Sequence, residues 1–224
     1  TYISGSNSDN LTFLYTIQAG ENDTDGISIS ANALELPTNT TLKDSTGNIA
    51  SLTHDAVTHN AEYKVDTTTP SVNSFTMSDT EIKIGDTPTV TLAFSEAVIG
   101  FSSSADITIA SMDNGTASGS LSTMSSTDNE SWTGTFTPTS NIEDATNTLS
   151  LAINSYTDLA GNNGPAATTQ NYEIDTLAPT VDNFTMSDTE LKIGDTSTVT
   201  LTFSEAVTGF SNADITIASL DNGT

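Results

Sequence analysis

Apolar and polar residues alternate with a period of two through the middle of the chain. Val90, Leu92 and Phe94 are interleaved with Thr89, Thr91 and Ala93. Ile107 and Ile109 flank Thr108; Leu149, Leu151 and Ile153 alternate with Ser150, Ala152 and Asn154; Tyr172 and Ile174 alternate with Asn171 and Glu173. This period gives a strand one oily and one wet face, where a helix would repeat every ~3.6 residues. The pattern predicts strands over 72–77, 89–94, 106–110, 117–123, 131–137, 148–154 and 168–174, with no helical segment. Turn clusters separate them: Ile84-Gly85-Asp86-Thr87, Asp113-Asn114-Gly115 and Gly161-Asn162-Asn163-Gly164-Pro165. Short strands in this number describe a two-sheet β-sandwich. Trp132 falls on the fifth strand, where an aromatic is an ordinary core residue.

The chain also repeats itself. Pro70–Ser102 aligns without gaps on Pro179–Ser211, with 26 of 33 positions identical and an offset of 109 residues. After one extra residue the match resumes, pairing Ala105–Ile109 with Ala213–Ile217 and Asp113–Thr116 with Asp221–Thr224. Residues 1–65 hold the complementary half of a more divergent repeat. There Leu11, Phe13, Tyr15 and Ile17 alternate, Asp44-Ser45-Thr46-Gly47-Asn48 is similar to Asp158-Leu159-Ala160-Gly161-Asn162, and Tyr63–Asp66 is similar to Tyr172–Asp175. The expected division is therefore 1–65, the second half of a divergent repeat; 66–175, a complete repeat; and 176–224, the first half of a further one. Such a window reads as a piece of a longer tandem array.

Composition narrows the function. Against 29 acidic residues stand 4 basic ones, a formal net charge of −25. Nothing is available to neutralise phosphates, which argues against nucleic acid and against direct contact with anionic membranes. Cysteine is absent, so neither disulfides nor thiolate metal sites are possible. No apolar run is long enough to span a bilayer. Most of the carboxylates are read as a solvated acidic surface.

Several segments resemble a known family. Phe94-Ser95-Glu96-Ala97-Val98, then Ala105-Asp106-Ile107-Thr108, then Asp158-Leu159-Ala160-Gly161-Asn162 and a Val/Ile-Asp-Thr-x-x-Pro junction are similar to the bacterial immunoglobulin-like tandem repeats of giant biofilm-associated and repeats-in-toxin-type surface adhesins. Tyr15–Gly26 resembles a second variety of the same repeats. The resemblance implies an all-β chain of tandem immunoglobulin-like β-sandwich domains in an elongated array, secreted to the bacterial cell surface. It also implies calcium-stiffened extenders whose adhesive tip, with its ligand, lies outside this segment. The tryptophan that antibody domains carry on their third strand is missing, so the likeness to those is architectural.

In a sandwich of this order the chain's entry, the loop after the second strand and the loop after the sixth lie at one pole. That convergence gathers Asp66, Glu96, Asp106, Asp158 and Asn162. The next repeat carries Asp175, Glu205 and Asp214, and Asp44 with Asn48 belong to the corresponding pole of the first. Calcium takes about 6–8 hard oxygen ligands, which carboxylates, amide oxygens, carbonyls and water supply. With only His54 and His59 as nitrogen donors, zinc and copper fit poorly. The same residues also suit turns and strand-end caps, which is the competing reading. Asp23 and Asp25, at the far pole of the first domain, are placed to face the Asp66 junction.

Other functions fit less well. The Thr-x-Thr run over Thr198–Thr202 is wet-face alternation rather than an ice-binding array, which needs many regular ranks. An enzyme is not expected: no Gly-x-Ser-x-Gly elbow occurs, and the paired carboxylates fall at domain junctions rather than in a cleft. Partners are then neighbouring repeats, in the same chain or in identical chains. The alternative to an extender is a filament subunit, assembled head to tail as one chain's trailing half-domain is completed by the leading half of the next.

Overall fold

A computed structural model describes residues 1–110 and 117–216. The expected turn at Asp113-Asn114-Gly115 and the end of the third repeat, from Ile217, lie outside the described residues. The N-terminal stretch has two short antiparallel strands, β1 (Tyr2–Ser4) and β2 (Thr12–Phe13), plus isolated bridges such as Asp23 to Val65 and Lys43 to Ile49. Its large apolar side chains, Phe13, Tyr15, Ile29 and Tyr63 among them, are exposed.

The complete repeat is different. It contains β3 (Val72–Met77), β4 (Glu81–Lys83), β5 (Thr89–Phe94), β6 (Val98–Ile99), α1 (Ser103–Asp106), β7 (Ile107–Ile109) and β8 (Gly119–Leu121). It continues through β9 (Ser131–Pro138), β10 (Glu143–Asn147), β11 (Leu149–Leu151), β12 (Thr157–Asp158), β13 (Ala167–Thr168) and β14 (Tyr172–Asp175). One sheet runs β3-β5-β9-β8 and is antiparallel throughout. Facing it are β10-β14-β4, in which β14 and β4 run parallel, and β13-β11-β7, while β6 and β12 pair as a ribbon at one end. Val90, Leu92, Phe94 and Phe136 from the first sheet meet Ile82, Leu149, Leu151, Tyr172 and Ile174 from the second. The Phe136 and Tyr172 rings cross edge to face at 5.4 Å. Among the described residues, all the buried large apolar ones lie between Phe75 and Ile174, so this repeat carries a closed core of its own. Beyond it, β15 (Val181–Met186) pairs with β16 (Val199–Phe203) in the register of β3 with β5, but leaves Phe184 and Met186 exposed.

Four local features depart from the alternation pattern. A single helical turn occupies 103–106, where no helix was expected, and the third strand begins only at Ile107. Ile153 is 65% exposed instead of buried: β11 ends at Leu151, and Asn154 at φ 58° turns the chain away. The region expected as a last strand over 168–174 divides, β13 pairing with β11 and β14 with β10 and β4. The crossing point is Thr169, whose buried hydroxyl accepts from the Leu149 N–H at 3.0 Å. Finally β4 was too short to read; it carries the first strand across to the opposite sheet, with only Ile82 buried.

Among the described glycines of the complete repeat, Gly164 is the one most closely approached. A Cβ there would stand 2.0 Å from the Tyr156 ring, which is buried against Phe94 and anchored by its hydroxyl donating to the Pro165 carbonyl at 2.9 Å. Gly164→Ala is therefore expected to destabilise the repeat by about 1–3 kcal/mol in chemical denaturation, the usual range for overpacking a rigid core.

Candidate metal centre

The site starts from a closed loop. In Asp158-Leu159-Ala160-Gly161-Asn162, Asp158 Oδ1 accepts from the backbone N–H groups of Gly161 at 2.7 Å and Asn162 at 2.9 Å, while Oδ2 accepts from Asn162 Nδ2 at 2.7 Å. Gly161, at φ 96°, makes the turn that a side-chain-bearing residue would resist. Asp158 is 0% exposed. Burial alone would raise its carboxyl, but hydrogen bonds from the Asn162 side chain and from the N–H groups of Asn162, Gly161 and Ala160 outweigh burial and hold it below the usual aspartate range.

Asn162 also reaches the linker between repeats. Its Nδ2 lies 3.1 Å from the Asp66 carbonyl and 3.2 Å from that of Thr68. From the other side, Asn22 Oδ1 accepts from the Thr67 N–H at 2.8 Å, and Gly20 N–H donates to Thr67 Oγ1 at 2.9 Å. Residues 66–68 are thus held from both flanking domains. At the following junction the equivalent threonine is held by the domain before it: Thr176 N–H donates to the Ile142 carbonyl at 2.8 Å, and Thr176 Oγ1 donates to the Thr139 carbonyl at 2.7 Å.

Onto this frame the fold brings three carboxylates. Glu96 follows β5, where Ser95 N–H donates to the Ser71 carbonyl at 2.9 Å. Asp66 is exposed, Glu96 half-buried and Asp158 buried, and one oxygen from each lies within 4.8 Å of the others. Burial, then the negative charges of Asp158, Asp66 and Glu130, push the Glu96 carboxyl above the usual glutamate range. Glu130 escaped the sequence reading. The available signal was strand pairing: Ala93 of β5 stands opposite Ser131 of β9, which sets Glu130 beside the end of β5.

Not every expected residue joins this group. Asp106 Oδ2 accepts from the Ser102 N–H at 2.6 Å, capping the helical turn, and Asp214 does the same with Ser211 at 2.7 Å. The Asn162 amide nitrogen is committed to Asp158 and the linker, so this side chain organises the pole. In the first segment Asp44 and Asn48 reproduce the closed loop, with Asn48 Nδ2 on Asp44 Oδ2 at 2.7 Å and Asn48 N–H on Oδ1 at 2.8 Å. Hydrogen bonds from Asn48 and Thr46 hold Asp44 far below the usual range. Asp175 and Glu205 are exposed, and residues 176–224 do not include a loop matching 158–162. Asp23 Oδ1 is engaged by the Gly26 N–H at 2.7 Å, so Asn22 rather than Asp23 meets the linker. Three hard oxygen donors without sulfur suit calcium better than a transition metal.

A β-sandwich flanked by partial copies of its own sequence, with an acidic pole at the Asp66 junction, has the organisation of a tandem modular protein. The bacterial Ig-like domain family matches residues 66–174 and again 175–224, and the chain belongs to it. No curated protein and no solved structure matches the chain.

The two shifted carboxyls act in different pH windows. Because Glu96 is raised in the folded state, its contribution is fully present below the ordinary glutamate value and lost as pH rises through the raised value. Asp158 is lowered, so its contribution is present above the ordinary aspartate value and lost as pH falls through the lowered one. With chelator present, Glu96→Gln should melt above the parent at pH 7 and gain less on acidification to about pH 5, the side of the window above ordinary carboxyl values. Identical melting curves for the two proteins at both pH values would refute the repulsion.

Proposed function

We infer that this chain is a run of extender domains from a secreted bacterial cell-surface adhesin, stiffened by calcium at its interdomain junctions. The observation that carries this reading is that Asp66, a residue of the linker itself, shares a pole with Glu96 and Asp158 of the following domain. An ion held there ties the linker to two loops of one domain, and hydrogen bonds from Asn22 already tie it to the preceding domain. Asp175 and Glu205 take the same roles in the next repeat, and Asp44 with Asn48 organise the pole preceding the first. Calcium would supply charge neutralisation and a multidentate oxygen cross-link. An extracellular location fits this chemistry, since millimolar calcium saturates even weak sites of the extracellular class, with Kd of about 10⁻⁴–10⁻³ M.

The test is small-angle scattering and thermal melting with calcium and with chelator. Calcium at a hundredfold excess over Kd should add about 2.7 kcal/mol to the stability of the complete repeat. It should also lengthen the particle, with both effects lost in Asp66→Asn with Glu96→Gln. Unchanged melting and unchanged dimensions would overturn the reading.

A further inference from the structure

Two apolar tips in the complete repeat stand far out of the surface, at opposite poles. Ile84 is 70% exposed at the apex of the turn between β4 and β5, and its counterpart Ile193 is 104% exposed. Leu159 is 76% exposed at the apex of the closed loop that buries Asp158. Neither tip is floppy. Asp86 Oδ2 accepts from the Lys83 N–H at 3.0 Å and Asp86 N–H donates to the Lys83 carbonyl at 3.1 Å, closing the first turn as tightly as Asp158 closes the second.

Both tips are tied to linkers by backbone register. Lys83, next to Ile84, pairs with Asp175, the residue that opens the linker leaving the repeat. The loop carrying Leu159 is bonded through Asn162 to the carbonyls of Asp66 and Thr68, in the linker entering the repeat. In a tandem array one repeat's exit linker is the next one's entry linker. The Ile84 turn of one domain and the Leu159 loop of its successor are therefore both anchored within the same three linker residues. The linker leaving the complete repeat adds an apolar residue between them: Leu177, 46% exposed, at the position Thr68 holds in the preceding linker.

We propose that, where one complete repeat follows another, Ile84 of the first, the linker residue Leu177 and Leu159 of the second form a small apolar contact across the junction. The occupant is the next repeat of the same array. The hydrogen-bonded linker holds the two poles against each other, and the contact keys their rotation about the long axis, which an ion on Asp66, Glu96 and Asp158 does not set. It operates with or without that ion, so it stands apart from the calcium reading.

The test replaces residues 179–224 with a second copy of 70–175, keeping the natural linker 175–178 between two complete repeats. The parent has no cysteine, so an introduced pair is the only one present. Ile84→Cys in the first copy and Leu159→Cys in the second are compared with a control that moves the first thiol to the opposite sheet, Thr137→Cys, at the same pole. A disulfide requires Cα atoms about 4.4–6.8 Å apart. The Ile84 pair is expected to close about tenfold or more faster than the control, from its higher effective concentration. Equal rates, or closure of neither pair, overturn the contact. Running both with calcium and with chelator keeps the questions separate, since closure in either condition supports the contact and only scattering and melting bear on the metal.

Discussion

The junction depends on a carboxylate that has been removed from water. Asp158 is fully buried, and a charge in that position costs several kcal/mol unless hydrogen bonds or a counter-ion replace its hydration. Its own loop provides the replacement: two backbone N–H groups on one oxygen and the Asn162 amide on the other. That demand fixes the loop's shape, the left-handed glycine at its third step, and the position of Asn162. The second N–H of the same Asn162 amide faces two linker carbonyls, those of Asp66 and Thr68. One desolvated group thereby couples the interior of a domain to the segment that joins it to its neighbour.

Glu96 and Asp158 respond in opposite directions because their surroundings differ. Hydrogen-bond donors around Asp158 favour its charged form, whereas burial and then acidic neighbours push Glu96 toward its neutral form. A cation, if bound, would act differently on the two. The donor-rich aspartate keeps a permanent charge at the base of the pole, and the frustrated glutamate gains most from whatever neutralises its neighbours.

Much of this was legible in the sequence where the signal was periodic. Val90, Leu92 and Phe94 alternate over a full strand, and all three are buried; Tyr172 and Ile174 are too. The Asp-x-x-Gly-Asn loop was readable twice, because its chemistry is local and needs five consecutive residues. What escaped depended on non-local pairing. Ile153 continues the alternation of Leu149 and Leu151, but a strand ends where its partner does, and β7 offers nothing beyond Ile107 opposite Leu151. Asp106 stands outside the carboxylate group; its Oδ2 accepts from the Ser102 N–H in a helical turn too short to leave a periodic trace. Glu130 and Asn22 carry no motif at all, and only register puts them where they act.

The strongly acidic composition acquires a narrower meaning from this geometry. At physiological ionic strength charges are screened beyond about 8 Å, so carboxylates spread over the surface chiefly confer solubility. Oxygens of Asp66, Glu96 and Asp158 gathered within 4.8 Å are inside that length, where salt relieves little of their repulsion. Among the described residues these three form the acidic group that a single ion could touch at once, so theirs is the repulsion that a directly bound cation would relieve. Their location decides what that change accomplishes. A cross-link within one sandwich would add stability to a core that is already closed, whereas a tandem array bends only at its linkers. Because the cluster includes the linker residue itself, a cation bound there would resist bending, which is the property that the proposed extender role requires.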